Sequence, residues 1–584
     1  MPRRRKRRRR RKNQRRNRIL IRILIAVLIA AAVIGAGLFI RGKIAGKYTE
    51  TGEWFEEAAS ASENPSEGIY LILDHEITDG DCLVHSGEAF ISLDVLQESL
   101  NERFYWDENE LLLVYTTATT VYQAESATST YYVDNSQSDA GYTIVRIESD
   151  VVYVNLEFVK LFTDIEYTVY DDPSRIVVTS VWEDVSVADT KKKTRLMKTS
   201  GIMQGYLEKL DKDETLTVLE EGTKWTKVAT ADGMIGYVKN SAISDVYTQS
   251  SERSFEETVY TNVRRDEAIN LTWNQVSVYA ANSYISTYLE EADGINVICP
   301  TWINLSDDQG GVESRCSTDY VTAAHKAGVE VWALVSNLED DDLTVEDTTT
   351  VLTNTTSRVA LENKLIALAI EYNLDGLNID FETMESAVGD SFIQFIRELS
   401  ILCRRNNLVL SVDVPPSLGT TEYYAREELS EIVDYVILMA YDEHYSGSAA
   451  GSVASIDWVT ESVVTALEEV DPEALILGIP LYTRLWQLSS DGTEVVGSSA
   501  YGMDAIESLL SEMGVTASWD ESAGQYYAEY ESDGYLYEVW LENADSISLK
   551  LEIMQDNQLV GCATWRVGYE SDDIWDIISA ALDQ

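Results

Sequence analysis

Between residues 256 and 584 the chain alternates short apolar runs with longer stretches of helical periodicity. The runs Ala268–Thr272, Val297–Pro300, Val329–Val335, Gly376–Phe381, Val409–Val414, Tyr435–Met439, Leu475–Ile479 and Gly561–Trp565 predict strands. Stretches such as Val359–Tyr372 and Asp390–Arg404 predict helices between them. Eight strands separated by helices predict an α/β fold, a (β/α)8 barrel. Val495–Val539 is too long for a simple loop. Its strand-rich end, Gln525–Tyr530 and Tyr535–Glu538, predicts a small α+β insertion after the seventh strand.

Upstream the patterns are different. Residues 67–182 hold an internal repeat, in which the Phe90–Leu100 pattern returns as Tyr153–Phe162. Each copy continues into an Asp-containing turn, at Trp106–Asn109 and Tyr170–Pro173, and then a β-branched strand. The unit is therefore strand, helix, turn, strand, used twice. It resembles the small α+β modules related to the N-terminal domain of copper amine oxidases. Copper is not implied, since ligands are absent. After a polar connector over 183–190, residues 191–246 read as short strands, with a hairpin inside Trp225–Val238 turning at Ala231-Asp232-Gly233. This stretch resembles a bacterial SH3-like barrel, which implies cell-wall binding.

The first forty residues change the picture of location. Residues 1–22 hold 14 Lys/Arg and no acids, and the other 31 bases of the chain face all 99 acids, a net of −68. An acidic body of that size repels nucleic acid. Residues 23–40 are uncharged and apolar, and 18 residues of helix span about 27 Å, close to the ~30 Å hydrocarbon core. The positive-inside rule puts residues 1–22 in the cytoplasm and the chain from 42 onward outside, with 41–66 a juxtamembrane linker. The expectation is a single-pass cell-membrane protein. A cleaved signal peptide is the competing reading. Five cysteines without C-x-x-C spacing and four scattered histidines predict no disulfide framework, no metal and no cofactor.

The chemistry concentrates at residues 375–382, Asp-Gly-Leu-Asn-Ile-Asp-Phe-Glu. Leu377, Ile379 and Phe381 alternate with Asn378, Asp380 and Glu382, so an amide and two carboxyls share one face of a strand. Neighbouring carboxylates raise each other's proton affinity, and a protonated Glu beside an ionised Asp is what general-acid catalysis requires. The octapeptide resembles the D-G-x-D-x-D-x-E signature of glycoside hydrolase family 18, the chitinase-like (β/α)8 barrels. The resemblance implies Glu382 as the acid/base and Asp380 as the carboxylate that orients a substrate 2-acetamido group, whose carbonyl oxygen is the nucleophile. Asn378 stands where chitinases usually have Asp, as in the peptidoglycan and spore-cortex branch.

Two further strand ends agree with this resemblance. Met439-Ala440-Tyr441-Asp442 resembles the family's M-x-Y-D motif, which implies Tyr441 and Asp442 as acetamido-binding groups. Trp565 matches the tryptophan that floors the sugar subsite. Asp413, Tyr482, Arg484, Trp273 and Trp302 are further candidates for binding or for core packing. The implied function is an anchored extracellular hydrolase of N-acetylglucosamine-containing glycan, with peptidoglycan favoured over chitin. A catalytically silent, lectin-like barrel is the alternative.

Overall fold

The computed structural model describes residues 23–39, 47–59, 69–78, 81–182, 184–201, 205–250, 255–256, 258–338, 343–382, 384–417 and 419–582. The basic segment 1–22 and half of the 41–66 linker lie outside these. Residues 23–39 are helical and exposed, and residue 40 of the expected membrane span is outside the described residues. Among the described residues no helix is long and apolar enough to cross a membrane. By contacts the chain forms two compact units, one within 1–102, 126–130 and 139–257, the other within 103–125, 131–138 and 258–584.

In the first unit the repeat is visible as geometry. The strands Glu88–Ser92 and Val151–Asn155 pair antiparallel, with Tyr153 opposite Ser92 and Asn155 opposite Phe90. Each runs into a short helix, Leu93–Ser99 or Leu156–Val159. The sequence pattern missed one strand per copy, because each Asp-containing turn closes a hairpin. The second copy's hairpin, Glu166–Asp171 with Ser174–Thr179, joins Tyr70–Leu73 and Glu76–Thr78 in a four-stranded sheet. The first copy's hairpin, Phe104–Asp107 with Leu112–Thr116, falls in the other unit.

A seven-stranded antiparallel sheet spans Val185 to Gln249. The expected connector at 183–190 is itself a strand over Val185–Asp189, which buries Val187 and Ala188. Trp225–Ala229 and Ile235–Lys239 pair as the expected hairpin, with Ala229 opposite Ile235. Gly233 turns it at φ +88°, where a Cβ would also meet the Ile72 side chain at 2.6 Å.

The second unit is built on eight parallel strands: β1 (Ile269–Asn274), β2 (Val297–Leu305), β3 (Glu330–Ser336), β4 (Gly376–Asp380), β5 (Val409–Val414), β6 (Tyr435–Met439), β7 (Leu475–Pro480) and β8 (Gly561–Trp565). Each pairs with its successor, and β8 with β1, so the sheet closes. Alternation divides the side chains. Leu377, Ile379 and Phe381 pack outward into the layer between strands and helices, whereas Leu271, Trp273, Cys299, Leu334 and Ile437 fill the barrel interior. Gly376 is required low in β4, since a Cβ there would come within 2.9 Å of Trp332 and of the Val409 carbonyl. The insertion after β7 is a five-stranded antiparallel sheet with the helix Met503–Met513 packed on one face.

The hairpin from the first repeat copy braces three barrel helices: α1 (Thr355–Tyr372), α2 (Gly389–Arg405) and α3 (Arg426–Ile432). Asp107 holds the start of α1. Tyr105 and Thr116 bond to Ser391 and Gln394 of α2. The Arg103 guanidinium forks onto Glu428 of α3, at 2.9 to 3.2 Å. These helices follow β3, β4 and β5.

Candidate active site

At the C-terminal end of the barrel, β4 delivers Asp380 and then Glu382. The backbone N–H of Glu382 donates to Asn337 Oδ1 at 3.1 Å, and the Tyr424 hydroxyl donates to the Phe381 carbonyl at 2.7 Å. These two bonds hold both ends of the peptide group that leads into the acid. Neither residue was singled out by the sequence, because nothing local marks a side chain that reaches another strand's end.

Glu382 opens to solvent on one side, yet enough protein surrounds its carboxyl to raise its proton affinity. Burial is the leading cause of that rise and the Asp442 carboxylate the second. Asp442 sits one residue beyond Tyr441, at φ +57°, a left-handed conformation that Asp tolerates better than most residues. Its carboxylate accepts the Tyr482 hydroxyl. Tyr441 is held as a neutral phenol. Burial pushes its hydroxyl well above the ordinary value, and the neighbouring Asp413, Asp380 and Glu382 add to the effect. A Glu382 of raised proton affinity and a neutral Tyr441 phenol therefore stand on the same rim as Asp380.

The floor is aromatic. Trp273 lies 5.9 Å from Trp565 and 6.4 Å, edge-on, from Tyr441 (ring centroids). Trp565 is half-buried and Met439 is 8% exposed at the end of β6. Arg484 belongs to the first strand of the insertion, Tyr482–Leu488, and bonds Ser498 at 3.2 Å.

Two sequence-derived candidates are placed elsewhere. Trp302 is fully buried in the outer layer, where its indole donates to Asn282 at 2.8 Å and meets Tyr320 edge-on. It is core. Asn378 faces inward as expected but lies below the rim, fully buried, with every amide valence used by protein. Its Nδ2 donates to Asp413 at 2.7 Å and Ser411 at 3.0 Å. Its Oδ1 accepts from Trp273 Nε1 at 3.2 Å and from the Cys299 thiol at 3.3 Å. An amide so engaged supports the site from beneath and has no group left for a sugar.

A third residue was also missed. Asn304 pairs with Ser336, and Ser336 with Asp380, so the three share one layer across β2, β3 and β4. Asn304 is buried, and neither its Oδ1 nor its Nδ2 has a hydrogen-bond partner. A buried orphan amide in the Asp380 layer is a candidate recognition group. Among the described residues no cluster of His, Cys, Asp and Glu could hold a metal.

A closed parallel barrel with Asp380 and Glu382 at the end of β4 fits a glycosidase, the class to which the matched family belongs. Residues 341–570 match the model of Glycosyl hydrolases family 18, and the chain carries a domain of that family. It is 24% identical over 281 residues to the uncharacterised glycosylase YvbX of Bacillus subtilis, covering 47% of this chain and 80% of that one. It is 26% identical over 253 residues to the cortical fragment-lytic enzyme of the same organism, covering 42% and 58%. The chain thus spans little more than half the length of that second relative. The Bacillus cereus spore cortex-lytic enzyme SleL superposes with a TM-score of 0.49 at 20% identity, over 55% of this chain and 76% of that one.

Proposed function

We propose that this protein hydrolyses the β-1,4 bond on the reducing side of N-acetylglucosamine in peptidoglycan, with retention and with the substrate's own acetamido group as nucleophile. The observation that carries this reading is Glu382, its proton affinity raised by burial and by Asp442, on the same rim as Asp380 and Tyr441. Glu382 gives its proton to the glycosidic oxygen. Asp380 orients the acetamido N–H, and the hydroxyl of Tyr441, whose ring packs edge-on to Tyr482 at 6.5 Å, donates to the acetamido oxygen as its charge redistributes. Trp565 and Trp273 offer flat apolar faces to the pyranose ring.

Peptidoglycan is favoured over chitin by Asn378 in the signature and by the likeness to a cortical fragment-lytic enzyme. An SH3-like reading of the seven-stranded sheet adds a wall-binding module. The apolar run at 23–40 after 14 basic residues supports an N-terminal anchor with the barrel outside the cell.

Digestion of purified peptidoglycan by the whole chain, with products read by mass spectrometry, tests the activity. New reducing ends at N-acetylglucosamine are expected. New ends at N-acetylmuramic acid overturn the bond assignment, and glycan retained without release points to the lectin-like alternative. N-terminal sequencing of the mature protein tests the anchor, which is abandoned if the chain starts near residues 33–42.

A further inference from the structure

Asp413 has an unusual position. It lies on β5 inside the barrel, 2% exposed, and its Oδ1 accepts the Asn378 amide at 2.7 Å. Its Oδ2 is buried with no hydrogen-bond partner. The titratable groups around it are the Cys299 thiol from β2, the Tyr441 hydroxyl beyond β6 and the Glu382 carboxyl beyond β4. Asp380 shares Cys299 and Tyr441 as neighbours. Asn378 and Ser411 complete the set and are neutral. None of these groups is a cation, so an ionised Asp413 would be a buried anion with one bare oxygen, which is costly.

We propose that Asp413 is the internal acid of this site, a proton-carrying positioning residue that fixes the Asn378 amide and keeps the ground beneath Glu382 electrically neutral. The proposal rests on Glu382 being the working acid. Burial and the charge of Glu382 both hold the Asp413 carboxyl well above the ordinary range, against the opposing bond from Asn378. When Glu382 hands its proton to the leaving oxygen, its new negative charge then meets a neutral neighbour. The amide of residue 378 and the acid of residue 413 are isosteric partners across one hydrogen bond, so the geometry allows their exchange.

The test uses the whole chain and four variants, with kcat, KM, the pH profile and the thermal midpoint measured for each. Asp413→Asn, a permanently neutral isostere, keeps kcat within about threefold. Asp413→Leu, which removes the acceptor for Asn378, loses about tenfold or more in kcat with little change in KM. Asn378→Asp sets two carboxyls face to face, and its alkaline limb moves up. The exchange Asn378→Asp with Asp413→Asn brings that limb back to the wild-type position. A hundredfold-order loss in Asp413→Asn means that the ionised form is what matters, and overturns the proposal. So does an exchange variant, folded by its thermal midpoint, whose limb stays displaced. Glu382→Gln runs in parallel: if it keeps full turnover, the functional reading falls as well, whereas a dead Glu382→Gln confines any failure to Asp413.

Discussion

Asp107 caps a helix that begins 248 residues later. Its Oδ2 accepts both the backbone N–H of Thr355, at 2.6 Å, and the Thr355 hydroxyl, at 2.7 Å, while Asn354, the residue before, makes no side-chain cap of its own. The same carboxylate turns its own hairpin by accepting the N–H groups of Asn109 and Glu110. Asp107 is fully buried.

Replacing Asp107 with Ala should therefore destabilise the barrel by about 1–2 kcal/mol, the upper part of the range for lost caps, since two donors on Thr355 are left buried. Glu110→Ala, which removes the more exposed bonds to Thr356, should have a smaller effect. Denaturant midpoints of the transition that abolishes activity check both. Equal midpoints for Asp107→Ala and wild type would deny the cap a structural role.

Glu382→Gln should reduce turnover by about 10²-fold or more, the scale of lost general-acid catalysis. The pH profile carries a sharper expectation. A raised proton affinity keeps Glu382 protonated beyond the ordinary Glu range, and kcat/KM falls as pH rises through that value. Asp442→Asn removes the second cause of the rise, so its alkaline limb should move to lower pH. A limb that stays in place, whatever the height of the profile, would sink the electrostatic link between the two residues.

Stability should depend on pH through Asp413. Its proton affinity is higher folded than unfolded, so the folded state binds the extra proton. The contribution is fully present below the unfolded value of about 3.9 and is lost progressively as pH rises toward the folded one. Asp413→Asn lacks this slope and should gain on wild type as pH increases. Melting curves from pH 4 to 9 measure it, and parallel curves would contradict it.

Asn304→Leu separates packing from recognition. Removing two unpaired buried polar atoms should leave stability unchanged or raise it by about 1–2 kcal/mol. If the amide recognises substrate in the Asp380 layer, kcat/KM falls at the same time. Wild-type kcat/KM in the variant would take Asn304 out of the site.

The barrel was legible in the sequence because each buried strand is a dense apolar run. Val409–Val414, Tyr435–Met439 and Gly561–Trp565 were read to the residue. Alternation along β4 also told which side chains face inward. It could not tell depth. Asn378 and Asp380 share a face, but two residues of rise put one below the rim and the other on it. Trp302 escaped for a different reason: the apolar run was read as ending at Pro300, whereas β2 continues to Leu305, and alternation from Ile298 sends Trp302 outward into the helical layer. The repeat at 90–179 was visible as well, yet its two copies found different neighbours. Nothing within 103–116 announces that its partners lie beyond residue 350, since Arg103, Tyr105 and Asp107 acquire their meaning only from Glu428, Ser391 and Thr355.

That brace has a consequence in time. The hairpin at 104–116 leaves the ribosome long before α1, α2 and α3 exist. At roughly 5–20 residues per second, the 248 residues between Asp107 and Thr355 take on the order of tens of seconds to make. Through that interval Tyr105, Leu113 and Tyr115, all buried in the finished protein, have no barrel to pack against. The nascent chain must carry an apolar hairpin past its own site of synthesis and keep it from pairing with another chain.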